Sequence, residues 1–578
     1  LHNFYKTLHM TMSIKYYCII IFSLLLLSIG NKTAVAQIGW TKTYDNTAVV
    51  TAERHASQVG KRILKQGGNA VDAAVAVQFA LAVTLPRAGN IGGGGFMVIH
   101  LHDGTDTTLD FREEAPSAAG PDMYIRDGEY VQELSRRGVL AVGVPGVVDG
   151  MVKALNKYGS LSFQKVMQPS IDLAHEGYRL SWIQAQTLNS DAETLKQYPG
   201  SKKYFTRNNG ELYKEGDLFV QKDLAQTLGQ IAQNGRSGFY SGKTADMIVA
   251  EMERNDGLIT HKDLKNYQSK WRDPVQMQFR GYELSIMPPP SSGSIAIAQM
   301  LEMLEPYDLE NMGYNSAGYV HLVTEIMRRA FADRAYFLGD PDFIDIPRQK
   351  LLSESYNKQR MENYNPSQAT SSDSVDHGAI PSFSVESSET THFSIVDSAG
   401  NAVAVTTTLN GNFGSKVAVD GAGFFLNNEM DDFTAKAGEP NMFGLIQGKA
   451  NAIEPGKRML SSMSPAIVTK NDSVRMVLGA AGGPRIISAV LQNFLNMAVF
   501  GMNAAKAVSA PRFHHQWLPD AIRYDPYGIS KDTRQMLKEM GHTFTAGSIG
   551  RAHIIYIDDA GKPHGAADPR GDGTVEGY

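Results

Sequence analysis

The run "SSETTHFSIVDSAGNAVAVTTTLN", residues 387–410, places two threonines where a serine-rich polar segment meets a strand-like one. Threonine is a good strand residue, and without further context that would account for it. The position permits a sharper chemistry. A hydroxyl is a poor nucleophile at neutral pH unless a base sits beside it. A threonine at a chain terminus carries its own base, because an α-amine titrates near about 8 and can take the hydroxyl proton. For Thr390 that amine exists only once the Glu389–Thr390 bond is cut. A polar segment ahead and a rigid strand behind suit such a cut, since the strand holds Oγ while the new end departs.

Other constellations carry less. The four glycines at 92–95 invite a phosphate-loop reading, but no Lys-Ser/Thr follows and a strand rather than a helix comes next. Close backbone packing is the expectation there. His514 and His515 are adjacent, so their side chains diverge, and no further ligand sits at metal spacing; structural histidines are expected. No serine occupies a G-x-S-x-G elbow, and "SSMSP" at 461–465 offers hydroxyls without a neighbouring base.

The elements that must position Thr390 follow from periodicity. Residues 51–85 read as two helices broken at Gly67-Gly68, the second alanine-rich and buried. "GGGGFMVIHLHDG" and "TTLDF" read as strands, and residues from about 145 to 335 as a helical middle interrupted by "PPPSSGS". Residues 361–389, rich in Ser, Asn, Asp and Pro, read equally as a linker or as a long ordered surface loop. "HFSIVD" and "NAVAVTTTL" form a hairpin turning at Ser398-Ala399-Gly400-Asn401. "SPAIVT", "VRMVLGA" and "HIIYIDDAG" are further strands, with "AVLQNFLNMAVF" a helix between them. That order argues for a layered α/β protein.

Composition sets the bounds. Of 578 residues, 42% are hydrophobic and 20% charged, as in soluble globular chains, and a net charge of −5 with no basic stripe gives no reason to expect a nucleic-acid partner. Lys6 and Lys15 precede an apolar run from Cys18 to Gly30 and an Ala34-x-Ala36 site, which read together as a secretory signal peptide over residues 1–36. Its removal takes three lysines and no acid, leaving a net charge of −8, and carries away Cys18, the only cysteine. The remaining chain has no disulfide, thiolate nucleophile or Cys-ligated metal, which fits a bacterial periplasm.

With these motifs in view, the sequence strongly resembles the γ-glutamyltransferases of the N-terminal nucleophile hydrolase superfamily. The likeness runs from about residue 45 to Tyr578 and rests on "GGNAVDAAVA", "AGNIGGGGFM", "FREEAP", "PPPSSG", "TTHFSIVDSAGNAVAVTTTLN", "FLNNEMDDF", "SSMSP", "AAGGPRI", "APRFHHQWLP" and "GAADPRGDG". It implies a four-layer αββα sandwich in which a large chain (37–389) and a small chain (390–578) interleave. It implies self-cleavage between Glu389 and Thr390, with Thr390 as the nucleophile and Thr408 supporting it. Backbone N–H groups of Gly482 and Gly483 would hold the oxyanion. Arg112, with Ser461 and Ser462, would bind the α-carboxylate of a γ-glutamyl donor such as glutathione, and Asp432, Glu429 and Asn410 its α-ammonium. The acceptor would be water, an amino acid or a peptide, and neither metal nor organic cofactor is required.

Two positions shape the specificity. Phe443 stands where the family often has a lid tyrosine, so a hydroxyl that would bond Asn410 is missing and the balance of hydrolysis and transfer is open. Asp432 is the acid that related cephalosporin acylases, which take glutaryl groups, tend to lose; its presence favours glutamyl donors. The rival readings are such a glutaryl acylase and an uncut periplasmic binder of γ-glutamyl peptides.

Overall fold

The computed structural model describes residues 40–207, 210–375, 390–436, 439–445 and 447–578. The signal-peptide reading of residues 1–36, and Glu389, lie outside them. Two large sheets form the centre. The first runs, in spatial order, Thr574–Gly577, Ala48–Thr51, Thr390–Val396, Ala402–Thr408, Gly94–His100, Asp106–Asp110 and Lys270–Arg272, antiparallel throughout. Strands from before and after residue 390 are therefore neighbours, and Gly39–Tyr578 is one compact unit. The second sheet runs Thr41–Thr43, Pro563–Ala567, Arg551–Ile557, Ser473–Leu478, Ala466–Lys470, Tyr282–Ile286 and Val275–Phe279.

Strand alternation assigns the layers. Phe393, Ile395, Val403 and Val405 pack with the helices Arg54–Lys65, Ala70–Thr84 and Val147–Tyr158. On the opposite face Val396, Ala402 and Ala404 share a core with Ile286, Val468 and Met476 of the second sheet. That core continues into Gly293–Leu304, Ala317–Phe337 and Arg485–Ala498, the outer helices of the second sheet. This is the expected αββα order. The helix Ala70–Thr84 is buried at every residue, so it needs apolar side chains all round; Asn69 and Asp72 close its N-terminus as a capping box. Asp397, beside the hairpin turn, accepts from Ala70 N–H at 2.8 Å and ties the hairpin to that helix.

The helical reading of 145–335 fails at the strands Lys270–Arg272, Val275–Phe279 and Tyr282–Ile286, and at a two-residue pair, Tyr178–Arg179 with Leu218–Phe219. "VQMQF" alternates with the period of a strand, but it is too short to stand out among long helical patterns. Residues 361–375 are ordered: the Ser372 hydroxyl donates to Trp517 O at 2.6 Å and its N–H to Asp520 Oδ2 at 2.8 Å.

The four glycines do pack closely. A Cβ on Gly93 would stand 2.0 Å from the Thr408 carbonyl oxygen, and one on Gly95 2.4 Å from that of Thr406. Gly93→Ala must push the hairpin aside, and overpacking of this kind costs about 1–3 kcal/mol. A lower denaturant midpoint with slower chain cleavage is the expected outcome, read by urea melts and denaturing gels.

Candidate active site

Thr390 and Thr408 are directly paired across the hairpin. Period-2 alternation sends Thr390, with His392 and Ser394, toward the second sheet, and Thr391 toward the helical layer. The Thr390 hydroxyl donates to Thr408 Oγ1 at 3.5 Å, a long contact, and Thr408 Oγ1 accepts from Asn410 N–H at 2.7 Å. Asn410 has φ 76°, a left-handed turn that asparagine tolerates, and its side-chain amide donates to Asn428 O at 3.0 Å. Thr390 is buried but 6% exposed, enough to open onto a cavity.

That cavity, of about 320 Å³, is lined by Thr390, Thr408, Asn410, Arg112, Glu429, Asp432, Ser461, Ser462 and Gly483, and also by Arg334 and Phe443. Gly482 lies one residue behind the wall, with its Cα hydrogens against Gly550; neither its N–H nor that of Gly483 donates to another described residue. Gly483 has φ 58°, and a Cβ there would stand 2.8 Å from the Phe443 ring, so the ring lies directly on the glycine.

The floor is strongly charged. Arg112 is fully buried; it reaches Glu429 Oε2 at 2.5 Å and Asp432 Oδ2 at 2.6 Å, and donates to Met459 O at 3.3 Å. Glu113 Oε2 stands 3.4 Å from the same nitrogen, NH1, that meets Glu429. Burial pushes Glu429 well up and Asp432 up to about 6, with the Arg112 charge pulling both back down. Glu113 is pushed up to about 7 by the same burial. Three acids thus share one fully buried guanidinium, an arrangement suited to taking in a further positive charge beside it.

Two serine motifs far apart in sequence are stitched together here. Ser291 pairs with Ser461 in an isolated bridge, Ser461 N–H donates to Pro290 O at 2.9 Å, and the Ser291 hydroxyl to Met463 O at 2.7 Å. "PPPSSG" is thus the shelf on which "SSMSP" rests. Sequence reasoning missed Arg334 and Glu113. Arg334 is one of three arginines on one helix, with no spacing signal to single it out.

His514 and His515 diverge as expected, to Ser488 and Gln516 on one side and Asp520 on the other, and burial holds them down to about 3 and about 4. His321, Glu325 and His542 bring ligand atoms within 4.8 Å of one another. Glu325 is already held by Arg328 and Arg329, and His321 Nδ1 lies 2.7 Å from His542 Nε2, so the cluster pins neighbouring segments together.

Residues 56–578 match the family model described as gamma-glutamyltranspeptidase. A glutathione hydrolase proenzyme from a Pseudomonas strain (A14) is 47% identical over 92% of this chain and 94% of its own. The crystal structure of a Helicobacter pylori gamma-glutamyltranspeptidase is 46% identical over 57% of this chain and 94% of its own, with a TM-score of 0.56. A cephalosporin acylase from Bacillus halodurans is 27% identical over 93% of this chain and 97% of its own, with a TM-score of 0.83.

Proposed function

This chain belongs to the gamma-glutamyltranspeptidase family, and we propose that it is a self-cleaving γ-glutamyltransferase and glutathione hydrolase. The observation that carries the reading is the single cavity in which Thr390 and Thr408 face a buried arginine flanked by Asp432 and Glu429. Guanidinium and carboxylates side by side read a zwitterion, and a glutamyl group bound by its α-carbon substituents presents its γ-carbonyl to whatever lies at the cavity's other end.

In the precursor, Thr390 Oγ attacks the Glu389 carbonyl carbon, and the amide nitrogen leaves as the Thr390 α-amine. Water hydrolyses the resulting ester, which frees Oγ and leaves a carboxylate on Glu389. The products are a large chain of residues 37–389 and a small chain of residues 390–578. In the cut enzyme the α-amine takes the Oγ proton as Oγ attacks the donor's γ-carbonyl. The oxyanion develops against the N–H groups of Gly482 and Gly483, donors worth about 3 kcal/mol each when so placed. The α-ammonium returns its proton to the departing amine. Water or an acceptor amine then attacks the γ-glutamyl ester and restores Thr390.

The leader-like residues 1–36 support export, to the periplasm in a bacterium with two membranes. Among the described residues no helix is long and apolar enough to cross a membrane. The acylase reading has the Bacillus halodurans likeness in its favour, but Asp432 in the cavity gives the α-ammonium a partner that a glutaryl group cannot use. Release of p-nitroaniline from γ-glutamyl-p-nitroanilide, compared with its glutaryl analogue, tests the choice. The γ-glutamyl compound should be preferred at least about 100-fold, as expected when a buried charged partner is left unmatched. A glutaryl preference would refute the proposal.

A further inference from the structure

Arg334 lies in the last turn of the helix Ala317–Phe337, 2% exposed, with its guanidinium at the cavity wall. Its Nε donates to Ser292 Oγ at 2.9 Å and its NH2 to Ser462 Oγ at 3.2 Å. The third nitrogen, NH1, is buried and has no hydrogen-bond partner among the described residues. Ser292 passes the restraint on: its hydroxyl and its N–H both donate to Ser461 O, each at 2.7 Å. One guanidinium therefore fixes Ser462 by its hydroxyl and Ser461 by its backbone.

The direction of these bonds decides what the serines can bind. Ser462 Oγ accepts from Arg334, and Ser461 Oγ accepts from Met463 N–H at 3.1 Å. Each hydroxyl has a proton left to donate. Two O–H groups and the spare NH1 make a set of donors beside the cavity, with a positive charge behind them. Arg112, in the same wall, is engaged with Glu429, Glu113, Asp432 and Met459 O. A group that only accepts, with two oxygens and a negative charge, matches the donors.

We infer that Arg334 is a positioning residue that makes the two serines carboxylate donors and so confines the enzyme to acyl groups bearing an α-carboxylate. The inference rests on the reading of this cavity as the γ-glutamyl site. Arg334 acts through the serines, which line the cavity together with Arg112, while Asp432 and Glu429 are the acceptors for the ammonium.

The test uses the full chain carrying Arg334→Gln, Arg334→Lys or Ser292→Ala, each checked for cleavage on a denaturing gel. For Arg334→Gln, KM for γ-glutamyl-p-nitroanilide should rise about 10- to 150-fold, the range of a lost charge-assisted hydrogen bond, with kcat changed less than about threefold. Arg334→Lys, which keeps the charge but not the fork, should fall between the two. Ser292→Ala should raise KM several-fold with the guanidinium intact. A wild-type KM in Arg334→Gln, or a fall in kcat alone, overturns the inference. If Arg334→Gln does not fold or cut, an unchanged KM in Ser292→Ala overturns it instead. Calorimetry with L-glutamate separates the two layers. A wild-type protein that binds no glutamate and hydrolyses no γ-glutamyl anilide defeats the functional reading itself. Glutamate binding equal in wild type and Arg334→Gln defeats only the role of Arg334.

Discussion

Thr390→Ala leaves the chain uncut and abolishes turnover. A denaturing gel of the wild type should show two bands, of 353 and 189 residues once the leader is gone, and the variant should show one. No other described side chain belongs to the residue that follows the scissile carbonyl, and only an Oγ there closes the five-membered ring of the N-to-O shift. Loss of a nucleophile of this kind costs at least about 10⁴-fold in kcat, and here the base is lost with it, since the amine is never freed. Thr391→Ala is the decisive control. Thr391 points into the helical layer, and its hydroxyl is buried with no hydrogen-bond partner among the described residues. Removing an unsatisfied buried hydroxyl should leave cutting and turnover close to wild type. Equal damage from both substitutions would mean that the strand, not the nucleophile, had been broken. Mass spectrometry of the small chain, beginning at Thr390, reads the cut directly.

That two adjacent threonines should behave so differently follows from alternation, which the sequence alone makes legible. The hairpin, its turn, the buried alanine-rich helix and the layered order could be read from period and turn chemistry, because each is a local pattern. The cavity could not. Arg112, Asp432, Ser461 and Gly483 come from loops hundreds of residues apart in places, and their meeting depends on both sheets stacking in register. Resemblance supplied their grouping where periodicity had nothing to say. Arg334 escaped both routes: it lies on a helix with Arg328 and Arg329, which are equally buried but bind Glu325 and Asp520 instead. Only the packing of that helix against the serine shelf distinguishes them. The three strands between 270 and 286 were hidden for a related reason, since short segments owe their conformation to the sheet they join more than to their own residues.

Arg112→Gln should lower kcat/KM for a γ-glutamyl donor by about 10³-fold, since removing one partner of a buried charge pair costs about 3–5 kcal/mol. The loss exceeds that of a surface cation because Glu113, Glu429 and Asp432 would be left together without their shared guanidinium. They would meet that by taking up protons, and a protonated Asp432 no longer attracts an ammonium. The same logic fixes the pH dependence of the unaltered enzyme. Burial raises Asp432 to about 6, so its carboxylate is present above that pH and lost below it. The free-enzyme profile of kcat/KM should therefore fall on the acid side as the Thr390 α-amine protonates and steepen below about pH 6, where Asp432 adds a further loss approaching tenfold per unit. An ordinary aspartate would hold its charge about two units lower. In Arg112→Gln the acid limb should move to higher pH, because the charge that pulls Asp432 down is gone. Asp432→Asn should lower the plateau and erase the part of the limb that Asp432 contributes. A profile of Asp432→Asn with the wild-type limb intact would assign the titration to Glu429 or Glu113 and take the ammonium contact away from Asp432.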